Sequence, residues 1–390
     1  MLLSWIDTRV IRYELLHISV ISLLFIFFLL LFIMSLPLIY LINDSRLEKT
    51  FQKKTFSNFL KTDVNKAIQK TILDGKIEES CNWGAEMIIS GYTHQLYEKL
   101  IILAIKIINI NNPRLPHLLY RRYEYFYNII NKKYDKHILL LRNDQQIRNH
   151  ITELICVLCK SNKGKPLGLK KVNPGDFNVD VLRNKLEAKS NDYIKNLYRP
   201  GDPNEFKIIT NEFYYHLLEK IMIVCLLVKL DYEWEKRMIK KDGYYKCGYR
   251  ELKNIDIKFY TDYIWFFWEI ILKQSMKLNN DLLNHQIQSL YKLFKLEYKA
   301  SKKSKRICML LNAIKYFTEY YNINNPIILE YHWIVQACGN INYMYNQKKQ
   351  FEINDKSQMQ EKLTQLNNLS NKQKTEEKKY KIKLSEDSTN

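Results

Sequence analysis

Glycine and proline are scarce in this sequence, with only 10 glycines and 8 prolines among 390 residues. β-Sandwiches, β-propellers and dinucleotide-binding folds need many tight turns, and tight turns depend on these two residues. The scarcity therefore argues against all three classes. Strand-like runs are few and short, whereas apolar residues at helical spacing recur along most of the chain. We therefore expect an all-α protein built as a multi-helix bundle.

Short motifs that mark a catalytic or cofactor site are absent as well. The sequence contains no GxxxxGKS/T phosphate loop, no GxGxxG, no GxSxG and no HExxH. Gly164-Lys165 is followed by Pro166 and lacks the upstream glycine of a phosphate loop. We therefore predict a protein that is not an enzyme, with no catalytic residue, no cofactor and no bound metal.

The cysteines do not form a disulfide framework, because their number is odd and their spacing irregular. Cys156 and Cys159 are the one close pair, and His150 is the only further zinc ligand nearby, whereas a zinc site needs four. We interpret the cysteines as buried free thiols of a reducing compartment. The seven are Cys81, Cys156, Cys159, Cys225, Cys247, Cys308 and Cys338.

Two further sets of polar residues have the types, but not the context, of a metal site. Glu212, His216 and Glu219 share one helical face, which is more typical of a solvated or hydrogen-bonded surface. Asp176 with Glu187 and Lys189 resembles in composition a metal-dependent nuclease core, which requires a β-hairpin. Residues 181–189 have instead the pattern of a helix.

The N-terminal segment is a long run without charge. Residues 15–43 contain no Asp, Glu, Lys or Arg, and about twenty residues are enough to cross a bilayer. The run is too long for a signal peptide and too uniformly apolar for a core helix. We therefore predict one transmembrane helix at 15–43, after a short flank at 1–14. Basic residues at 46–61 place the body on the cytosolic side.

The body is predicted to have two helical lobes. The first covers 44–160 and the second 177–350. A basic loop rich in glycine and proline separates them at 161–176. Residues 351–390 are mostly Gln, Asn, Lys, Glu and Ser, so we expect a disordered polar tail.

Positive charge is concentrated in the body. The net formal charge is +20, of which residues 1–45 carry −1, residues 46–346 carry +18 and residues 347–390 carry +3. Such an excess favours nucleic acid, anionic lipid head groups or an acidic protein as partner. The chain is also rich in Lys, Asn, Ile, Tyr and Phe, so AT-rich coding would explain part of it.

Three basic groups are candidate anion-binding sites, although ordinary solvated loops have the same composition. Tyrosines alternate with the basic residues of the second group, which lies between residues 236 and 250, as they do in surfaces that stack bases. The candidates are Lys163, Lys165, Lys170, Lys171, Arg237, Lys240, Lys241, Lys246, Arg250, Lys302, Lys303, Lys305 and Arg306.

Several phrases between residues 47 and 350 resemble, in order and spacing, an uncharacterised protein family of large nucleocytoplasmic DNA viruses, the giant viruses of algae and amoebae. These phrases pack helices and carry no established activity, so the resemblance implies a viral protein made in host cytoplasm and no site residues. Residues 1–46 lie outside it, so the anchor would be an addition or an upstream extension of the reading frame. The phrases are KTDVNKAIQK, EESCNWGAEMIISGY, INNPRLPHLLYRRYEYF, IDIKFYTDYIWFFWEII and KRICMLLNAIKYFTE.

Three functions follow as hypotheses. The first is a membrane-anchored, non-enzymatic scaffold of a giant DNA virus, bound to the bilayer through 15–43. Its body would lie on the cytosolic or virion-interior side and present a cationic surface to anionic partners, such as lipid head groups or another viral protein. The second is a nucleic-acid-binding accessory of viral replication, transcription or packaging, which would be host-cytoplasmic if the anchor is absent. The third is a nuclease on Asp176, Glu187 and Lys189, which a helix at 181–189 would exclude.

Overall fold

The described part of the chain is all-α. The computed structural model describes residues 40–134, 137–168, 186–190, 192–218, 228, 246–328 and 330–353, and no strand occurs among them. The predicted fold class is therefore confirmed for these residues. Their α-helices are α1 (Lys61–Leu73), α2 (Ile77–Ile89), α3 (Thr93–Ile107), α4 (Leu115–Lys133), α5 (Gln145–Lys160), α6 (Asn204–Leu218), α7 (Ile264–Lys277), α8 (Asp281–Lys295), α9 (Ala300–Thr318) and α10 (His332–Lys348).

Local sequence signals set several helix ends. Gly75 and Gly91 follow α1 and α2 with φ of +73° and +80°, a region that glycine enters without strain. The Asp144 side chain accepts hydrogen bonds from the backbone N–H groups of Gln146 and Ile147 and so caps α5. Helix α5 therefore begins at Gln145, directly after a 3₁₀ segment, Ile138–Asn143, that ends where this cap begins.

The first two turns of helix α7 are buried by aromatic packing on several faces. Trp265 and Trp268 are at most 2% exposed and both contact Phe294 of α8. On another face Phe267 packs edge-to-face against Phe213 of α6, with ring centroids 4.8 Å apart. Each fully buried aromatic side chain contributes roughly 1.5–3 kcal/mol. The aromatic run of this helix is thus core.

Helices from both halves of the sequence share one core. Helix α10 packs against α2 and α5, α8 packs against α4, and α9 packs against α3. Buried apolar residues from before 160 and after 190 belong to a single cluster. Part of the predicted boundary, 169–176, lies outside the described residues, and the division into two lobes stays a prediction.

The end of the predicted membrane anchor belongs to the folded body. Ile42 is 3% exposed, and its backbone N–H and carbonyl both bond to the Asn143 amide at 2.8 and 2.9 Å. Arg148 donates to the carbonyl of Tyr40 at 3.1 Å. Residues 41–43 are not helical, so the predicted transmembrane helix at 15–43 does not include them.

None of the helices described here is long and apolar enough to cross a bilayer. The rest of the predicted anchor, with the flank at 1–14, falls on residues 1–39, outside the described part. The transmembrane helix therefore stays a prediction, shortened at its carboxyl end.

The chain beyond α10 returns to the N-terminal segment. The Ser45 N–H donates to the carbonyl of Ile353 at 2.9 Å, and the Ile353 N–H donates to Asp44 at 3.0 Å. Arg46 pairs with Asp44 and also donates to the carbonyl of Phe351. The predicted disordered tail therefore cannot begin at 351, and its remainder, 354–390, lies outside the described residues.

A buried ion pair links the two ends of this fold. Lys348 of α10 donates to Glu86 of α2 at 2.8 Å, and both side chains are at most 7% exposed. The N–H and hydroxyl of Ser57 also donate to the Glu86 carboxylate, each at 2.8 Å. Burial raises the pKa of Glu86, but the charge and hydrogen bond of Lys348 outweigh it, so the pKa is lowered below the ordinary 4.5.

Glu86→Gln should lower the free energy of unfolding at neutral pH by about 3–5 kcal/mol, because it leaves the Lys348 ammonium buried and unpaired. The double variant with Lys348→Met should recover most of this loss. Because the folded-state pKa of Glu86 is lowered, its contribution is complete above 4.5 and declines as the pH falls through the folded pKa. Urea unfolding over a pH series measures both effects. Equal stability of the Glu86→Gln variant and the double variant would contradict the expected cost of leaving Lys348 unpaired.

Candidate anion-binding cleft

A cleft of about 730 Å³ lies between helices α1, α3 and α9. Leu167 and Gly168 of the loop after α5 line one side of it. That loop is held against the end of α3 by bonds from the N–H groups of Gly164 and Leu167 to the carbonyls of Ile107 and Lys106, both 2.7 Å. The cleft is within the size range of ligand sites.

The floor of the cleft is aliphatic. No aromatic side chain is among the described residues that line it. Ile68 and Leu96 are at most 5% exposed. Such a floor accepts methylene groups and offers no face for stacking a base. The apolar residues are Ile68, Ile72, Leu96, Leu100, Ile102, Leu103, Leu167 and Ile307.

The rim of the cleft is cationic. Five basic residues and one acidic residue line it, namely Lys99, Lys106, Lys302, Lys305, Arg306 and Glu98. Lys99, Lys106 and Lys305 are exposed, and no described acid lies within ion-pair distance of them. Their ammonium groups are therefore available to an anion.

Three lysines bring their positive charges close together at one end of the cleft. Burial lowers the pKa of Lys99, and the charges of Lys61 and Lys305 lower it further. Lys99 donates to the Asn65 side chain, and Lys61 lies 3.5 Å from the centroid of the Tyr92 ring. A bound anion beside Lys99 would relieve the repulsion that Lys61 and Lys305 exert on it.

The single carboxylate of the cleft is already compensated. Glu98 accepts from Arg306 at 2.6 Å and from Lys302 at 3.3 Å. Arg306 also donates to the carbonyls of Phe294 and Leu296, and is 3% exposed. Two of the predicted anion-binding residues, Lys302 and Arg306, thus position the rim, while Lys305 faces the cleft.

Two other predicted anion-binding residues are buried in ion pairs. Lys303 pairs with Asp262 at 3.0 Å. Arg250 pairs with Asp202 at 2.9 Å and with Glu269 at 3.2 Å, and only 3% of its side chain is exposed. Their role as surface sites is corrected, because charges in such pairs cannot meet a partner at the surface. The third basic group is also not a loop, since α9 begins at 300.

Among the remaining predicted residues, the described ones do not line the cleft. Lys163 donates to the carbonyl of Cys159 and so serves the end of α5. Lys165 and Lys246 are exposed elsewhere. The other predicted residues fall outside the described part of the chain, and these are Lys170, Lys171, Arg237, Lys240 and Lys241.

The two sets of polar residues that resemble metal ligands in type have structural roles in the described part of the chain. Glu212 accepts from the N–H groups of Glu187 and Ala188, and bonds to His216 at 2.9 Å. Glu212 therefore anchors the chain before α6. Residues 186–189 are not helical, so the helix expected at 181–189 is wrong there. No group of three or more potential metal ligands occurs within the described residues.

Lys99 and Lys106 are the cleft residues that the sequence reasoning missed. Helix α3 has the pattern of a segment buried on most sides, so its polar positions attract little attention. Those positions, Gln95, Lys99 and Lys106, nevertheless fall at helical spacing on one face. A search for basic residues at i and i+7 within apolar helices would have found them.

No protein-family model, curated protein or solved structure matches this chain.

Lys303→Met should lower the free energy of unfolding by about 3–5 kcal/mol, because Asp262 is left buried without its cation. Lys305→Met, two residues further along α9, should change it by at most about 0.5 kcal/mol, as is usual at exposed positions. Urea unfolding followed by tryptophan fluorescence compares the two. The opposite order would show that Lys303 is a surface residue.

Proposed function

We propose that the protein is a membrane-anchored, non-enzymatic helical scaffold of a giant DNA virus, which holds anionic phospholipid in the cleft between α1, α3 and α9. The observation that carries this proposal is the combination of an aliphatic floor with the exposed ammonium groups of Lys99, Lys106 and Lys305. Head-group phosphate would meet the rim, and methylene groups would meet the floor. A phospholipid of the surrounding membrane would supply both the phosphate and the methylene groups.

The predicted anchor supports the same partner. The first described residues, 40–43, are bonded to the body, so an anchor ending before residue 40 would hold the body close to the bilayer surface. At such a distance each lysine near an anionic surface contributes about 1 kcal/mol of attraction. The scaffold would then bind its own membrane at two points, one apolar and one electrostatic.

The double variant Lys99→Glu/Lys305→Glu should weaken binding to vesicles containing phosphatidylserine by at least about 2 kcal/mol, or about 30-fold in partition coefficient. Binding of the full-length protein to pure phosphatidylcholine vesicles should not change, because insertion of an anchor does not depend on these charges. Co-sedimentation with both kinds of vesicle measures the ratio of the two partition coefficients for each variant.

The matched control is Lys132→Glu/Lys253→Glu, which makes the same change of net charge at exposed lysines outside the cleft. The control should lose much less affinity for the anionic vesicles than the cleft variant. Equal losses would show that net charge alone is responsible and would contradict a lipid site in the cleft.

Single-stranded nucleic acid is the second candidate partner, favoured by an exposed tyrosine on another surface. Tyr249 is 51% exposed and lies 5.2 Å from the ring of Tyr260. Arg199 donates to the Tyr249 carbonyl at 2.7 Å, and Lys246 is exposed nearby in the chain. Aromatic rings beside cations suit base stacking with phosphate contact.

Tyr249→Ser should weaken binding of a single-stranded oligonucleotide about tenfold, since stacking contributes about 1–3 kcal/mol per base. Tyr320→Ser is the control, because Tyr320 is 96% exposed and lies on a different part of the chain. Fluorescence anisotropy over a salt series provides the affinities. Identical affinities of the two variants would remove this second candidate.

A further inference from the structure

His150 of α5 is buried at the place where α3, α4 and α5 meet. Only 3% of the residue is exposed to solvent. Its ring is stacked on Tyr97 of α3, with the ring centroids 5.7 Å apart, and lies 5.1 Å from the ring of Tyr125 of α4. Tyr97 is in turn stacked on Phe126 of α4 at 4.5 Å. Both neighbouring helices therefore contribute an aromatic ring to the surroundings of this histidine.

The hydrogen bonds of the ring fix its protonation state. The Arg122 guanidinium can only donate, and its Nη1 lies 3.2 Å from Nδ1 of His150, so Nδ1 must accept. The carbonyl oxygen of Arg122 can only accept, and it lies 3.0 Å from Nε2, so Nε2 must carry the proton. The Tyr97 hydroxyl lies 3.1 Å from the same nitrogen. His150 is therefore neutral in this fold, and both of its nitrogens are bonded to one residue of α4.

A second proton on the ring would have no acceptor in this arrangement. It would place an N–H on Nδ1, where the Arg122 guanidinium already points a donor and a positive charge at the ring. Burial lowers the pKa of His150 to about 4, from the ordinary 6.5, and the charge of Arg122 contributes to the decrease. The fold thus resists a protonation that the same side chain accepts readily in water.

The other titratable groups around the ring supply no free negative charge. Glu153 of α5 is paired with Arg122, and on α4 Glu124 is paired with Arg121 at the surface. The thiol of Cys338 on α10 donates to the carbonyl that precedes the histidine, and burial raises its pKa to about 11, so it is neutral as well. The remaining groups are phenols, which are neutral at and below pH 7, and these belong to Tyr97, Tyr123 and Tyr125.

We propose that His150 is an acid-sensitive latch, which holds α4 against α3 and α5 while its ring is neutral and releases α4 when the ring takes up a second proton. The two bonds to Arg122 are the contact that the proton breaks, because the guanidinium then faces another donor. Arg122 keeps its ion pair with Glu153 when it leaves the ring. The imidazolium reaches water, the acceptor that it lacks in the closed state, only when α4 moves away.

The release is expected between pH 6.5 and about pH 4. Because the pKa of His150 is lowered in the fold, the open state binds the second proton more tightly than the closed state. The contribution of the latch is therefore complete above the ordinary pKa of 6.5 and is lost as the pH falls from there towards 4. Within this range the equilibrium constant for opening should rise about tenfold for each pH unit.

The first test measures backbone hydrogen exchange of the full-length protein by mass spectrometry at pH 7, 6 and 5. The rates are corrected for the intrinsic effect of pH on exchange. Peptides from α4 should lose protection about tenfold between pH 6 and pH 5, while peptides from the buried helix α7 should keep theirs. Unchanged protection of α4, or an equal loss in α4 and α7, would overturn the proposal.

His150→Gln separates the proton from the packing. The glutamine amide has one acceptor and one donor end, so it can keep both bonds to Arg122, but it does not titrate. In this variant the protection of α4 should be the same at pH 6 and pH 5. His332→Gln is the control, because the His332 side chain is 62% exposed on α10, and it should behave as the wild type. A wild-type loss of protection in His150→Gln would also overturn the latch.

The state of the ring can be measured without any substitution. Nitrogen NMR of the full-length protein with ¹⁵N-labelled histidine distinguishes the two neutral tautomers and the imidazolium. His150 should carry its proton on Nε2 and should remain neutral in the protein that is still closed at pH 6. A proton on Nδ1, or a doubly protonated ring while α4 stays protected, would contradict the latch even if His150→Gln failed to fold.

Discussion

The constraint on which this structure depends is the compensation of buried positive charge. Six basic side chains are buried among the described residues, and each needs acceptors, because an unpaired buried cation costs several kcal/mol. Lys348 finds Glu86 across 262 residues of sequence, and Arg306 finds Glu98 across 208. These pairs join the beginning of the body to its end. Arg142 shows what incomplete compensation does, since burial lowers its pKa to about 10 and one guanidinium nitrogen has no partner.

Once the few buried acids are used in this way, the surplus of lysine must lie at the surface. The cleft between α1, α3 and α9 is one place where it collects. The ion pairs of Glu98 with Lys302 and Arg306 hold the rim in position, and the exposed lysines around it have no described acid within ion-pair distance. The same interior therefore stabilises the fold and leaves a cationic site, and the two properties are tested by different variants, Lys303 for the first and Lys305 for the second.

Much of the helical framework could be predicted from local pattern, whereas irregular segments between helices depend on distant side chains. Gly75 and Gly91 end helices as their backbone freedom predicts. Helix α10 begins only at His332, and in the segment before it the carbonyl of Ile327 accepts a hydrogen bond from the Asn112 side chain. Residues 186–189, where the sequence predicts a helix, are held by the Glu212 carboxylate. In both segments a distant side chain supplies hydrogen bonds that a helix would have made.

The amino-acid sequence by itself determined the all-α class of the described residues, the excess of positive charge and the burial of five of the six described cysteines, since composition and helical periodicity are local properties. Tertiary structure alone decided which basic residues face a cleft and which form ion pairs with Asp262, Asp202 or Glu98. These outcomes depend on which helices pack together, and packing joins residues whose separation in the sequence carries no signal.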